Sequence, residues 1–335
     1  MPAVGMVNTT LAMYSDYAFH SAVAVYLFAM LLHLGEYART RTVREVPAAA
    51  RVPVAVGAGS TASDPAVPTD PGFAAPPGSG GPAGRPWRER FGRMAVSLTI
   101  FGALLQVASV ALRGLAAHRW PWGNMYEFIS AACLMGVLTW LVVLWRSPGA
   151  ARLRPIGAFV LLPVEVLLFL AGTSLYVKAA PVMPALQSYW LIIHVTAISV
   201  ASGLFMVSGV ASVLFLVRRY RRPTGWLTML PTADALDRAA YRITVFAFPL
   251  YTFAVMCGAI WAEAAWGRYW GWDPKETVAF VVWVIYACYL HARSTAGWRS
   301  GMAAWVSVLG FAAVLFNLFF VNLVTTGLHS YAGLG

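Results

Sequence analysis

Apolar residues in this chain fall into long unbroken runs and do not alternate with polar ones. Eight runs approach or exceed the roughly 20 residues that an α-helix needs to cross a hydrocarbon core: 14–36, 94–116, 125–145, 155–176, 189–217, 241–264, 276–292 and 300–324. Barrel strands are shorter and alternate in polarity, a pattern missing here. The expected fold is all-α, a polytopic membrane bundle of about eight transmembrane helices. One connection is long. Within 38–93, the core 47–86 holds nine of the chain's 20 prolines and almost no large apolar residue. Such a segment buries too little surface to offset its chain entropy and is expected to be disordered. The organisation is therefore a first helix at 1–37, a Pro/Ala/Gly-rich linker at 38–93 and a main transmembrane domain at 94–335.

Composition agrees with the pattern: 59% of the residues are hydrophobic and only 11% charged, against about 25% charged in an ordinary soluble domain. A soluble enzyme and a disulfide-stapled secreted domain are both excluded. The net charge of +11 gains its meaning from where it lies. If the side reached after the first span is called inner, 19 of the 24 Lys and Arg residues fall in inner segments, and only Arg113, Arg119, Lys178, Arg268 and Lys275 lie elsewhere. Basic residues stay in the cytoplasm, so both termini are expected outside and the linker inside. The basic excess reflects topology, with no clustered face for nucleic acid. No basic stretch precedes 14–36 and Arg-rich sequence follows it, so it reads as a retained span and not as a cleaved leader. Cys133, Cys257 and Cys288 sit singly in apolar runs and form no disulfide or zinc pattern.

This topology gathers the unusual chemistry on the outer face. Trp120–Glu127 precedes the third span, Tyr189, Trp190 and His194 open the fifth, and Gly327-Leu-His-Ser-Tyr331 follows the eighth. Between spans six and seven runs Trp266-Gly-Arg-Tyr-Trp270-Gly-Trp272-Asp273-Pro274-Lys275-Glu276. Three indoles in one loop exceed what interfacial anchoring requires and suggest a platform for a planar aromatic ligand. Asp273-Pro-x-Glu276 also makes a good helix start, with Asp as N-cap and Glu reaching back. His194 and His329 flank the platform, and imidazole is a common axial ligand of haem iron. His291, near the inner end of span seven, is an ionisable residue within a span and so a functional candidate. His33, near the inner end of span one, shares that ambiguity. Glu165 is a costly mid-span carboxylate.

The Trp266–Glu276 segment, continued by Trp283 and Tyr289-Leu-His291-Ala-Arg293, resembles the tryptophan-rich WWD signature of haem-handling membrane proteins. Together with Asn124–Glu127, Tyr189-Trp190…His194 and Gly327–Tyr331, it is most similar to the System II cytochrome c biogenesis family (CcsA or ResC, named CcsB in some bacteria). The resemblance implies a plasma-membrane subunit of a holocytochrome c synthase (haem lyase), not an enzyme acting alone. Such a subunit carries haem b outward and presents it to an apocytochrome bearing Cys-x-x-Cys-His. It implies His194 and His329 as outer axial ligands, with Trp266, Trp270, Trp272 and Asp273 shaping the pocket. It further implies His291 at an inner haem site whose second ligand comes from a ResB/CcsB-like partner, His33 being a rival for that place. Lys275, Arg268 and Lys178 are the cations available to haem propionates. Two other readings stay open at this point: a haem carrier or exporter that delivers to a chaperone without ligation, and an unrelated secondary transporter.

Overall fold

A computed structural model of the chain describes residues 7–38, 87–147, 153–222, 224–295, 301–325 and 327–328. The described residues hold eight helices long and apolar enough to cross a membrane: α1 (Thr9–Ala38), α2 (Trp87–Ala116), α3 (Met125–Arg146), α4 (Gly157–Thr173), α5 (Tyr189–Tyr220), α6 (Ala233–Trp266), α7 (Pro274–Thr295) and α8 (Gly301–Leu323). Short 3-10 turns at Arg154–Ile156, Pro184–Leu186 and Gly225–Met229 lie between them. The expected spans are all present, and several overrun their apolar cores. α2 begins at Trp87 and not at 94, and α6 at Ala233 and not at 241, because a helix continues through the charged turns that flank its hydrocarbon-buried middle. Helix therefore takes the last residues assigned to the linker, and 39–86 lies outside the described residues.

Helix contacts in a bilayer rest on close packing and buried hydrogen bonds, since apolar side chains gain little by leaving lipid. Both devices recur here. At the α1–α2–α3 junction the Tyr26 hydroxyl donates to Gln106 Oε1 at 2.8 Å, and Gln106 Nε2 donates to the Ser130 carbonyl at 2.8 Å. α3 and α5 cross at two glycines: a Cβ on Gly203 would stand 2.5 Å from the Gly136 nitrogen. Ser208 and Thr244 hydroxyls meet at 2.7 Å between α5 and α6, and Ser212 donates to Ser307 at 2.9 Å between α5 and α8. Proline inside α4 (Pro163) and α6 (Pro249) is tolerated because neighbouring helices surround the freed carbonyls.

The two ends of the bundle differ. One gathers the start of α1, the end of α2 and the start of α3, where Asn8 N–H reaches the Ala116 carbonyl at 2.9 Å. The aromatic loops lie at that end. The opposite end carries Arg146, Arg154, Arg218, Arg219 and Arg293, where Arg293 Nη1 and Nη2 clamp Asp237 at 2.5 and 3.0 Å.

Candidate functional site

The aromatic end opens into a cleft of about 1320 Å³, a volume that includes open solvent at its mouth. The turn before α3 contributes Trp122 and Asn124, and α3 contributes Met125. α5 contributes His194, Ile198 and Ser202, and α6 contributes Tyr251, Gly258, Trp261 and Trp266. The α6–α7 loop supplies Tyr269 and Trp270, α7 supplies Lys275 and Glu276, and α8 supplies Asn317 and Asn322. His194 and Ser202 are two helical turns apart, so the cleft descends about 12 Å along α5. Its walls are mainly apolar with a few polar groups converging on them, the usual make-up of a small-molecule site.

His194 is the best-defined of these polar groups. Its Nδ1 lies 2.7 Å from the Ala254 carbonyl oxygen. A carbonyl only accepts, so Nδ1 carries the proton and Nε2 keeps its lone pair, as in a metal-ligating histidine held by a backbone acceptor. The imidazole stacks on Trp261 with centroids 6.4 Å apart and planes 10° off parallel. Gly258 makes the seat, since a Cβ there would fall 2.7 Å from the ring. Among the described residues no group of three or more His, Cys, Asp or Glu is arranged to hold a metal ion. His194 thus offers the cleft a single nitrogen donor, Nε2.

Trp266 and Trp270 line the cleft as expected, with Trp266 packed against Trp261 at 4.8 Å. Trp272 does not line it. That residue lies in the left-handed region at φ +57°, which is rare for a bulky side chain. Its ring is turned outward, 64% exposed, edge-on to Trp270 and Phe280. Asp273 and Glu276 form the expected helix start. Glu276 Oε2 accepts from the Gly271 and Asp273 amides at 2.8 and 3.1 Å, and Asp273 Oδ2 accepts from the Lys275 amide at 3.3 Å. Asp273 also does something the sequence does not suggest: its Oδ1 accepts from the Leu328 amide at 2.9 Å, 55 residues away. His329 itself lies outside the described residues, and Leu328 immediately precedes it.

His291 is exposed at the far end of α7, about 24 Å along the helix from Lys275, and belongs to no part of the cleft. His33 is fully buried near that same basic end, edge-on to Trp140 at 5.4 Å, and neither ring nitrogen has a hydrogen-bond partner. A Cβ on Gly157 would stand 2.6 Å from its Nε2, so His33 is walled in by α3 and α4.

Sequence reasoning missed the device that holds the Trp120–Gly123 wall. Glu127, 2% exposed, receives Arg113 Nε at 3.2 Å, Arg119 at 2.8 and 3.0 Å and the Gly123 amide at 2.7 Å. Asn124 Oδ1 caps α3 by accepting from the Glu127 amide at 2.9 Å. Arg113 also reaches the Val177 carbonyl and Asp16, and the Tyr176 hydroxyl donates to Asp16 at 2.7 Å. Burial, then that carboxylate, raises the Tyr176 hydroxyl above its usual range. An Arg and a Glu of opposite sign in otherwise apolar outer segments was the available signal.

Comparison with known proteins bears on this geometry. Residues 122–329 match the family model described as Cytochrome C assembly protein. The chain is 34% identical over 235 residues to "Cytochrome c biogenesis protein CcsA" of Chlamydomonas reinhardtii, covering 68% of this chain and 65% of that protein. It is 30% identical over 269 residues to the protein of the same name from Mesostigma viride, covering 72% and 86%. Among solved structures, "Cytochrome c Heme Lyase CcmF" superposes with a TM-score of 0.57 at 18% identity, over 96% of this chain and 48% of that one. At that identity the likeness is one of fold.

Proposed function

The chain belongs to the cytochrome c assembly protein family, and we propose that it acts there as the haem-presenting membrane subunit, holding haem at the outer cleft for attachment to apocytochrome c. The observation that carries this is His194: a partly buried imidazole whose Nδ1 proton is committed to a backbone carbonyl, leaving an Nε2 lone pair in a cleft walled by Trp266 and Trp270. His329 is the proposed opposite ligand, and the amide just before it is held by Asp273.

The substrate supplies iron and two vinyl groups, and the apocytochrome supplies two thiols. Each thiol adds across a vinyl: the sulfur bonds the inner vinyl carbon, the thiol proton ends on the terminal carbon, and no electrons enter or leave. The chain itself then has to orient the ring, keep one axial position filled and leave an edge open to the incoming peptide. Holding the partners in place supplies most of the acceleration. The proposed orientation sets this cleft on the outer side of the plasma membrane and the Arg-rich end in the cytoplasm. His291, exposed on α7, suits an inner site completed by a ResB/CcsB-like partner subunit.

The test is the absorption spectrum of the complex purified with that partner, before and after dithionite, in wild type and in His194→Ala and His329→Ala. Six-coordinate b-type haem in wild type is expected, with haem attachment lost in either variant and partly restored by exogenous imidazole. A folded wild-type complex free of haem would sink the reading.

A further inference from the structure

Three cations were available to an anionic ligand edge, and the structure separates them. Lys178 lies beyond α4 and does not line the cleft. Arg268 folds back over Gly271, close enough that a Cβ on that glycine would lie within its guanidinium. Lys275 is different. It is the second residue of α7, in the cleft wall and partly buried, and its Nζ donates to Asn322 Oδ1 at 2.5 Å. Asn322 is itself fixed by donating through Nδ2 to the Leu318 carbonyl at 2.6 Å.

This ammonium has three donors, and its hydrogen-bond partner is a neutral amide. The carboxylate that acts on its charge is Asp273, and both of that residue's oxygens already accept from amides, those of Leu328 and Lys275. Glu276, the nearest candidate in sequence, spends Oε2 on the Gly271 and Asp273 amides. A charge taken partly out of water is costly unless an anion lies against it, and Asp273 is committed to amides on both oxygens. A wall that pre-orients such a charge through Asn322 is built to receive an anion. We propose that Lys275, steadied by Asn322, binds a carboxylate on the edge of the planar ligand held in this cleft, a propionate if that ligand is haem.

The inference rests on the haem reading and adds to it. An axial imidazole fixes the height and tilt of a porphyrin but leaves it free to spin about the iron–nitrogen axis. A charged contact at the rim removes that freedom and so decides which vinyl faces which thiol. Lys275 is therefore a positioning residue, acting on the ring's orientation and not on the reacting atoms.

The test uses iron-free protoporphyrin IX and its dimethyl ester, which offer histidine no iron and differ in that methylation removes both carboxylate charges. Each is titrated into the full chain in detergent, following tryptophan fluorescence, in wild type and in Lys275→Met, Lys275→Arg and His194→Ala. Comparing acid-to-ester affinity ratios between variants cancels partition into the micelle. A charge-assisted contact predicts that the ratio falls about tenfold or more in Lys275→Met and survives in Lys275→Arg and His194→Ala. An unchanged ratio in Lys275→Met overturns the assignment of Lys275 while leaving haem binding standing. Failure of wild type to bind either porphyrin, or haemin, overturns both. Haemin's axial-ligand absorption band, compared in wild type and His194→Ala, reads the underlying haem proposal separately.

Discussion

At the scale of single residues, the cleft depends on side chains that are missing as much as on those present. Gly258 is the sharpest case, because a methyl group there would push into the imidazole of His194 at 2.7 Å. Gly258→Ala is expected to displace the ring and break its bond to the Ala254 carbonyl while leaving α6 intact, since alanine is the better helix former. The expected outcome is loss of the six-coordinate haem spectrum with unchanged far-ultraviolet circular dichroism. A normal spectrum would show that the seat yields. His194 was legible in the sequence because an imidazole beside clustered indoles stands out against an apolar background. Gly258 was not, since nothing in the chain says which of 29 glycines faces a ring. Trp272 shows the converse: three neighbouring indoles read alike in sequence, and a left-handed turn at the third sends its ring out of the cleft.

At the scale of elements, charge pins the outer ends of the helices to one another. Glu127 collects two guanidiniums and a loop amide, so removing its charge leaves Arg113, 2% exposed, without its main counter-ion. Breaking a buried pair by deleting one partner costs about 3–5 kcal/mol. Glu127→Gln should therefore lower the unfolding temperature in detergent markedly, and heat should first expose the Trp120–Gly123 turn to proteolysis. A change within error would mean that water already screens the cluster. The spans themselves were legible because hydrocarbon forces every backbone group into helix and leaves an apolar run behind. Their ends were not, because flanking turns are polar whether or not they are helical, which is how α2 gains Trp87–Arg93. The Lys275–Asn322 contact joins residues 47 apart on different helices. Such pairings arise from how α7 and α8 are placed and leave no trace in local pattern.

At the scale of the whole molecule, the two ends of the bundle are chemically opposite, aromatic and basic. Under the proposed orientation, this asymmetry gives a direct expectation for chemical labelling in intact cells. In a background with Cys133, Cys257 and Cys288 replaced, a membrane-impermeant maleimide should react with Met183→Cys without lysis. It should react with Arg222→Cys only after the cells are opened. The reverse result would turn the cleft toward the cytoplasm and end the haem-presentation reading. The closure of the cleft carries one more consequence, for the order in which the protein is made. Its last wall is α8, with Asn317 and Asn322, and the bond from the Leu328 amide to Asp273 comes later still in the chain. A nascent chain with seven helices already in the bilayer thus has neither. On the proposed reading, ligand binding therefore waits until α8 has been made and inserted, and a ribosome stalled before Asn322 is expected to leave a membrane protein that is inserted but empty.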